Sequence, residues 1–283
     1  MARHRSLTAT LLLGMIVVAG AIAYAFWPQI YVLIEDELMY AEKAKRWGLV
    51  STGQTLPGTP DLKDLPGRLE AKGLSLGAPV FVRIFKREFE LEMWMKRGDR
   101  FEHFATYPVC MWSGRLGPKH MEGDRQAPEG FYTVDKSALN PNSSYHRSFN
   151  LGFPNAYDRA HGRTGSLLMV HGDCRSSGCY AMTDPVITEI WELVTAALER
   201  GQPRFQVQVF PFRMTDANMR WHATSPDMPF WRQLKVGHDD FAARHVPPVV
   251  NVCRGEYMVG APTGTKDGST PVTERCPADT PES

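Results

Sequence analysis

Apolar residues are distributed in three ways along this chain: an unbroken run near the N-terminus, alternation through the middle, and helical spacing in one later segment. The run spans residues 7–27 within a stretch that carries no charge from residue 6 to residue 34. About 20 apolar residues suffice to cross a bilayer as a helix. Residues 35–49 then read as a short amphipathic helix. Residues 51–79, rich in Gly, Pro and Thr, read as a linker with a weak helix near 65–72. From residue 80 the period becomes two. Residues 80–86, 88–93, 101–110, 130–134 and 205–209 predict strands, several with one wet face, and the short apolar run 167–170 predicts a buried one. Residues 186–198 carry Val186, Ile190, Leu193, Val194, Ala197 and Leu198 at helical spacing. Asp184 reads as the cap of that helix, Pro185 suits its first turn and Gly201 its stop. A helical piece near 230–245 and a hairpin over 249–259 follow, and the tail from Gly260 reads as disordered. The pattern predicts a mainly β chain with a few helices, an α+β sandwich or barrel.

Composition narrows the class. The 283 residues are 43% hydrophobic and carry 32 Lys+Arg against 31 Asp+Glu, a net charge of +1. That balance lacks the basic excess of a nucleic-acid binder, and the apolar fraction is too high for a disordered chain. Charge also orients the N-terminal run: Arg3 and Arg5 precede it, and Glu35, Asp36 and Glu37 follow it. The positive-inside rule keeps the N-terminus in the cytoplasm and exports the rest. Residues 1–27 then act as a retained anchor or as a cleaved signal peptide, for which Ala23-Tyr24-Ala25 has the small-x-small form. The expected location is periplasmic or secreted, or tethered to the inner membrane by this segment alone. There the five cysteines meet an oxidising compartment. Cys253 and Cys276 are candidates for a disulfide tying the tail to the hairpin, and Cys110, at a strand end, reads as a buried thiol.

The candidate chemistry lies in residues 167–182. An apolar strand delivers His171 to its end, a small-residue loop follows, and Gly178-Cys179 closes it. A thiolate is the reactive form of cysteine, and a nearby imidazole can take its proton. Gly178 permits close approach of a substrate backbone, and the amides of Gly178 and Cys179 are candidate oxyanion donors. Two other readings fit these residues: a local Cys174–Cys179 disulfide, and a zinc site of His171, Cys174 and Cys179, although their spacing matches no common zinc template.

The His171-Gly172 pair followed by Ser177-Gly178-Cys179-Tyr180-Ala181-Met182 resembles the signature of the L,D-transpeptidase (YkuD-type) catalytic domain, and within it the YafK-like branch. Residues 122–132 (EGDRQAPEGFY), 149–158 (FNLGFPNAYD), 162–165 (GRTG) and the stretch from Phe230-Trp231 to Tyr257 also resemble that branch. The resemblance covers roughly residues 78–259. It implies a β-sandwich catalytic domain at 78–212 with a helical and hairpin extension at 213–259, preceded by a juxtamembrane helix and linker at 28–77 and followed by the tail at 260–283.

The resemblance implies Cys179 as nucleophile and His171 as general acid and base, with Gly178, Ser177 and Gly172 around the oxyanion and substrate. Arg125, Arg163, Tyr157 and Asn155 are candidates for substrate binding, and neither metal nor cofactor is expected. The broader family places a histidine directly before Gly-Cys, where this chain has Ser177, and an arginine after the cysteine, where it has Tyr180-Ala181-Met182. The implied substrate is the diaminopimelate residue of peptidoglycan stem peptides. The YafK-like resemblance implies hydrolysis of the link to a covalently bound outer-membrane lipoprotein. Formation of 3-3 cross-links, attachment of the lipoprotein, and non-catalytic cell-wall binding are the alternatives.

Overall fold

The computed structural model describes the backbone of residues 2–261 and 267–276, and side chains for 12–22, 34–261 and 267–276. In chain order the elements are α1 (Ala2–Ser51), α2 (Leu65–Glu70), β1 (Val80–Phe85), β2 (Glu90–Arg97), β3 (Arg100–Pro108), β4 (Met111–Trp112), β5 (Gly130–Val134), β6 (Leu139–Ser143), β7 (His146–Asn150), α3 (Ala156–Ala160), β8 (Met169–His171), β9 (Tyr180–Ala181), α4 (Asp184–Glu199), β10 (Phe205–Phe210), α5 (Asp216–Trp221), α6 (Met228–Arg244), β11 (Val249–Cys253) and β12 (Glu256–Gly260). The fold is mixed α+β. One five-stranded sheet has the order β3-β2-β1-β10-β5 and the other β4-β9-β8-β7-β6, with β11-β12 as a separate hairpin. Most neighbours are antiparallel, but β1 runs parallel to β10 and β8 parallel to β9.

Alternation explains the layers. Val80, Val82 and Ile84 of β1, and Phe205, Val207 and Val209 of β10, enter the main core with α4 and the inner residues of the second sheet, such as Phe149, Val170 and Tyr180. The opposite face of the first sheet was expected to be wet, and it is covered. Phe85, Phe131 and Phe210 form a second core with Phe230, Trp231 and Leu234 of α6 and with Val250, Val252 and Tyr257 of the hairpin. Gly237 of α6 sits so close to Phe131 that an added Cβ would lie 2.5 Å from the ring. Polar residues on this face are therefore buried and largely partnered within the protein, although Gln208 Oε1 and Arg83 Nε and Nη2 have no hydrogen-bond partner among the described residues. Gln206 donates to the Pro248 carbonyl (2.9 Å) and Gln208 to Gln206 (2.9 Å), and Glu92 accepts from Arg213 (2.8 Å).

Four other expectations need correction. Residues 51–79 are no loose linker, because Leu56, Leu65, Leu69 and Leu74 are buried. Asp184 is the first residue of α4 and caps nothing: Thr183 holds the cap position, and Asp184 instead accepts the Asp173 N–H (2.8 Å). Within the tail, residues 267–276 are held against β11 by Val252 N–H to the Thr273 carbonyl (2.9 Å), Arg275 N–H to the Val252 carbonyl (2.7 Å) and the Cys253–Cys276 disulfide. Cys110 is not a free thiol: it is bonded to Cys174, 64 residues away. The apolar run at 7–27 belongs to the backbone of α1. Its side chains at 7–11 and 23–27 lie outside the described residues, among which no helix is long and apolar enough to cross a membrane.

Lys86, fully buried just past β1, organises the region above the second core. Its ammonium pairs with Glu129 (2.9 Å) and donates to the carbonyls of Gly117 (3.0 Å) and Ala127 (3.1 Å). Glu129 in turn accepts the Gly117 N–H (2.7 Å) and the Trp231 indole N–H (2.8 Å). Removing one partner of such a pair strands a buried charge. Glu129→Ala is therefore expected to cost roughly 3–5 kcal/mol in denaturant unfolding, and the Lys86→Met/Glu129→Ala double variant less than the sum of the two single changes.

Candidate active site

His171 closes β8, and Cys179 sits immediately before β9. The parallel register sets Val170 opposite Tyr180 and His171 opposite Ala181. Two residues of strand rise and one inter-strand step separate the two residues by about 8 Å between Cα atoms, a span that an imidazole and a thiol can close. The intervening loop is tightly held. Cys174 N–H bonds to the Met182 carbonyl (3.1 Å), and Met182 N–H to the His171 carbonyl (2.7 Å). The Cys110–Cys174 disulfide pins the loop from beneath. Asp173 and Cys174 hold left-handed backbone, as does Gly178 with φ 114°, a conformation that favours glycine at that position.

The half-buried Cys179 is the free cysteine of the five, the other four being paired in two disulfides. The Cys174–Cys179 disulfide considered from sequence is thereby replaced, and no metal-holding cluster occurs among the described residues. The Cys179 sulfur accepts the Met169 N–H (3.4 Å), and the thiol donates to the Leu167 carbonyl (3.6 Å). Leu167 was expected in a buried strand. It is instead 65% exposed with positive φ, and its carbonyl points at the thiol. Burial raises the thiol pKa, opposed by the Met169 N–H and by the positive charge of Lys119. His171 is buried against Tyr145, with ring centroids 4.9 Å apart. Its Nδ1 lies 2.6 Å from the Gly172 carbonyl, which assigns the proton to Nδ1 and leaves Nε2 as the acceptor. Burial lowers the imidazole pKa. Both shifts favour the neutral forms, thiol and imidazole.

The oxyanion donors differ from expectation. The Gly178 N–H donates to the Ser113 hydroxyl, and the Cys179 N–H to the Ser176 hydroxyl (3.0 Å). Ser176 passes its own proton to the Cys179 carbonyl (2.6 Å), and the two serine oxygens lie 3.3 Å apart. The Ser113 proton is thus the donor left to serve Ser176 or an incoming carbonyl, polarised by the amide behind it. The Gly172 N–H is taken by the Tyr145 carbonyl (3.0 Å), so Gly172 supplies no oxyanion donor, and Ser177 is exposed on the loop.

Sequence reasoning missed Ser113, Ser176 and Lys119, none of which carries a local pattern. Lys119 is buried, pairs with Asp124 and donates to the Met121 carbonyl (2.8 Å). Asp124 also accepts the N–H groups of His120, Met121 and Gln126, which is the structural reason for an acidic residue in the Glu122-Gly123-Asp124 turn.

Three proposed substrate ligands are structural. Asn155 caps α3 and donates to the Phe131 carbonyl (2.8 Å) and to Tyr257 (2.9 Å). Tyr157 is buried and stacks on Tyr257 at 4.3 Å. Arg163 forms a buried pair with Asp158 (2.9 Å). Trp112 is also buried. Arg125 alone of the four proposed ligands is exposed, with left-handed backbone on the turn that Asp124 organises.

A two-sheet α+β domain with a free cysteine and a histidine at adjacent parallel strand ends defines a class, and residues 80–209 match the family model of the L,D-transpeptidase catalytic domain (YkuD). The chain belongs to the L,D-transpeptidase family, whose members act on peptidoglycan. It is 50% identical over 197 residues to the protein named "Putative L,D-transpeptidase YafK" in Escherichia coli (strain K12), covering 70% of this chain and 80% of that one. The protein of the same name in Escherichia coli O157:H7 gives the same figures. Among solved structures it is similar to the helical cell shape determining protein Pgp2 from Campylobacter jejuni (18% identity, 55% of this chain and 59% of that one, TM-score 0.39). It is also similar to Bd1075 of Bdellovibrio bacteriovorus (17% identity, 57% and 60%, TM-score 0.35).

Because the thiol is raised, iodoacetamide alkylation of Cys179 is expected to titrate with a midpoint above 9.0, the ordinary thiol value. Because the imidazole is lowered, it keeps its base form as pH falls through 6.5, and the acid limb of turnover is expected below that value. An alkylation midpoint near 7 would instead reveal a resting thiolate–imidazolium pair.

Proposed function

We propose that this chain is an exported cysteine hydrolase of peptidoglycan that acts at the diaminopimelate residue of stem peptides and releases a covalently bound lipoprotein. The observation that carries the reading is that Cys179, out of five cysteines, is left unpaired just before β9, the parallel neighbour of the strand that ends in His171. The similarity to the Escherichia coli relatives named YafK supports the YafK-like resemblance from which the hydrolytic outcome is drawn. In this reading residues 1–27 deliver the chain to the periplasm, as a cleaved signal or an inner-membrane anchor.

The chemistry is acyl transfer through a thioester. The Cys179 proton passes to Nε2 of His171 as sulfur bonds to the carbonyl carbon of the diaminopimelate acyl group. The Ser113 hydroxyl, polarised by the Gly178 amide that donates to it, receives the developing oxyanion. The carbon–nitrogen bond breaks and the imidazolium returns its proton to the leaving amine. Water then attacks the thioester, His171 takes a proton from that water, and the sulfur departs and is reprotonated. An amine in place of water would give a cross-link or an attached lipoprotein.

The test is incubation with peptidoglycan that carries or lacks bound lipoprotein, followed by mass analysis of soluble products. Released lipoprotein ending in the free amine, with water added to the muropeptide, is expected. Muropeptide dimers linked between diaminopimelates would replace this reading by cross-linking. Cys179→Ala is expected to abolish turnover, and His171→Ala to reduce it by roughly 10²–10⁴-fold. Wild-type turnover in Cys179→Ala would refute the mechanism.

A further inference from the structure

The matched family domain begins at residue 80, yet helix α1, which ends at Ser51, is built into the floor of the site. Glu35, Met39, Lys43, Arg46 and Val50 recur every three or four residues and so form one helical stripe. All face the catalytic domain. Glu35 pairs with Arg87 (2.7 Å) and His222 (2.7 Å), and Met39 is buried in the main core. Lys43 lies 3.6 Å over the Trp112 ring and donates to the Gly114 carbonyl (2.8 Å). Arg46 donates to the Val109 carbonyl (2.9 Å), and Val50 packs on the Cys110–Cys174 cluster. The donors of Lys43 and Arg46 thus bracket one segment, residues 109–114.

That segment is the neighbour of the reactive loop. Met111 and Trp112 pair with Ala181 and Tyr180, directly after Cys179. Cys110 donates its N–H to the Ala181 carbonyl (2.8 Å) and bonds covalently to Cys174. Ser113 receives the Gly178 N–H. We infer that α1 is a positioning element of the active site: Lys43 and Arg46 hold residues 109–114 where Ser113 can seat the amide beside Cys179. This inference rests on Cys179 being the reacting group, and on nothing about which acceptor resolves the thioester.

The experiment uses the full chain with Lys43→Met and, acting on the same segment from the next turn, Arg46→Gln. Val250→Ala, in the distant second core, is the control for a matched loss of melting temperature. Amide hydrogen exchange at Gly178 and Cys179 is expected to quicken at least tenfold in both helix variants and to stay unchanged in the control. Turnover is expected to fall about tenfold in kcat, with KM within twofold. Unchanged exchange at these two amides in the helix variants overturns the inference, whether or not kcat falls, and so does equal quickening in the control. If Lys43→Met does not fold, Arg46→Gln decides alone. Exchange is read without substrate, so it stands apart from the proposed reaction, whose failure would show instead as turnover by Cys179→Ala.

Discussion

The buried pairing of Lys86 with Glu129 is the constraint on which the upper half of the molecule depends. It joins the end of β1, the turn before β5 and, through the Trp231 indole, helix α6. A buried ion pair is seldom a net source of stability, because desolvation offsets the attraction. Its effect here is to specify position. Three backbone groups, those of Gly117, Ala127 and again Gly117, find partners on the pair. The chain between them is thereby closed into a fixed loop. That loop carries Lys119, Asp124 and Gln126, and Lys119 is the cation whose field reaches the Cys179 thiol. A structural pair at the base of the loop thus helps place the cation that opposes burial at the thiol.

The balance at Cys179 follows from two opposed effects. Burial disfavours the thiolate, while Lys119 and the Met169 N–H favour it, and burial is the larger. For His171 burial again wins, over the Gly172 carbonyl and Asp173. Both shifts favour the neutral forms, and the proposed reaction then calls for proton transfer from thiol to imidazole during attack. The Nδ1 bond to the Gly172 carbonyl fixes the tautomer this requires. In this respect Gly172 matters through its carbonyl and not through its N–H. It also matters through its lack of a side chain: a Cβ there would lie 2.5 Å from the Asp184 carboxylate that holds the loop.

Local periodicity made the strands of the first sheet, helix α4 and the terminal hairpin legible, since each buries a face at its own repeat. His171 and Cys179 were legible through their motif. What periodicity could not show was the second layer. Gln206, Gln208 and Glu92 look like a solvent face because they are polar, and only the packing of α6 and Arg213 turns them inward. The same limit hid the partner of Cys110, because pairing across 64 residues depends on β4 lying beside β9. Asn155, Tyr157 and Arg163 looked like ligands because their motif resembles the family. They are instead one linked cluster, with Tyr257 receiving the Asn155 amide and stacking on Tyr157. Ser113, which receives the Gly178 amide, was beyond reach for a simpler reason: a single hydroxyl 65 residues from its partner leaves no spacing to read.

The disulfides and the free thiol belong to one argument. Four cysteines paired within the chain suit an oxidising compartment, where a reactive thiolate is the group most exposed to oxidation. The burial that raises the Cys179 pKa favours the neutral thiol, and thiolate character is what oxidants and stray disulfides attack. Tying Cys174 to Cys110 removes the nearest thiol in sequence, which would otherwise sit free five residues from Cys179. The disulfide beneath the loop therefore does two things at once. It holds the reactive turn in shape, and it leaves Cys179 without a neighbouring thiol to pair with. A chain that buried Cys179 less, or left Cys174 free, would expose that thiol more readily to oxidation or to a stray disulfide.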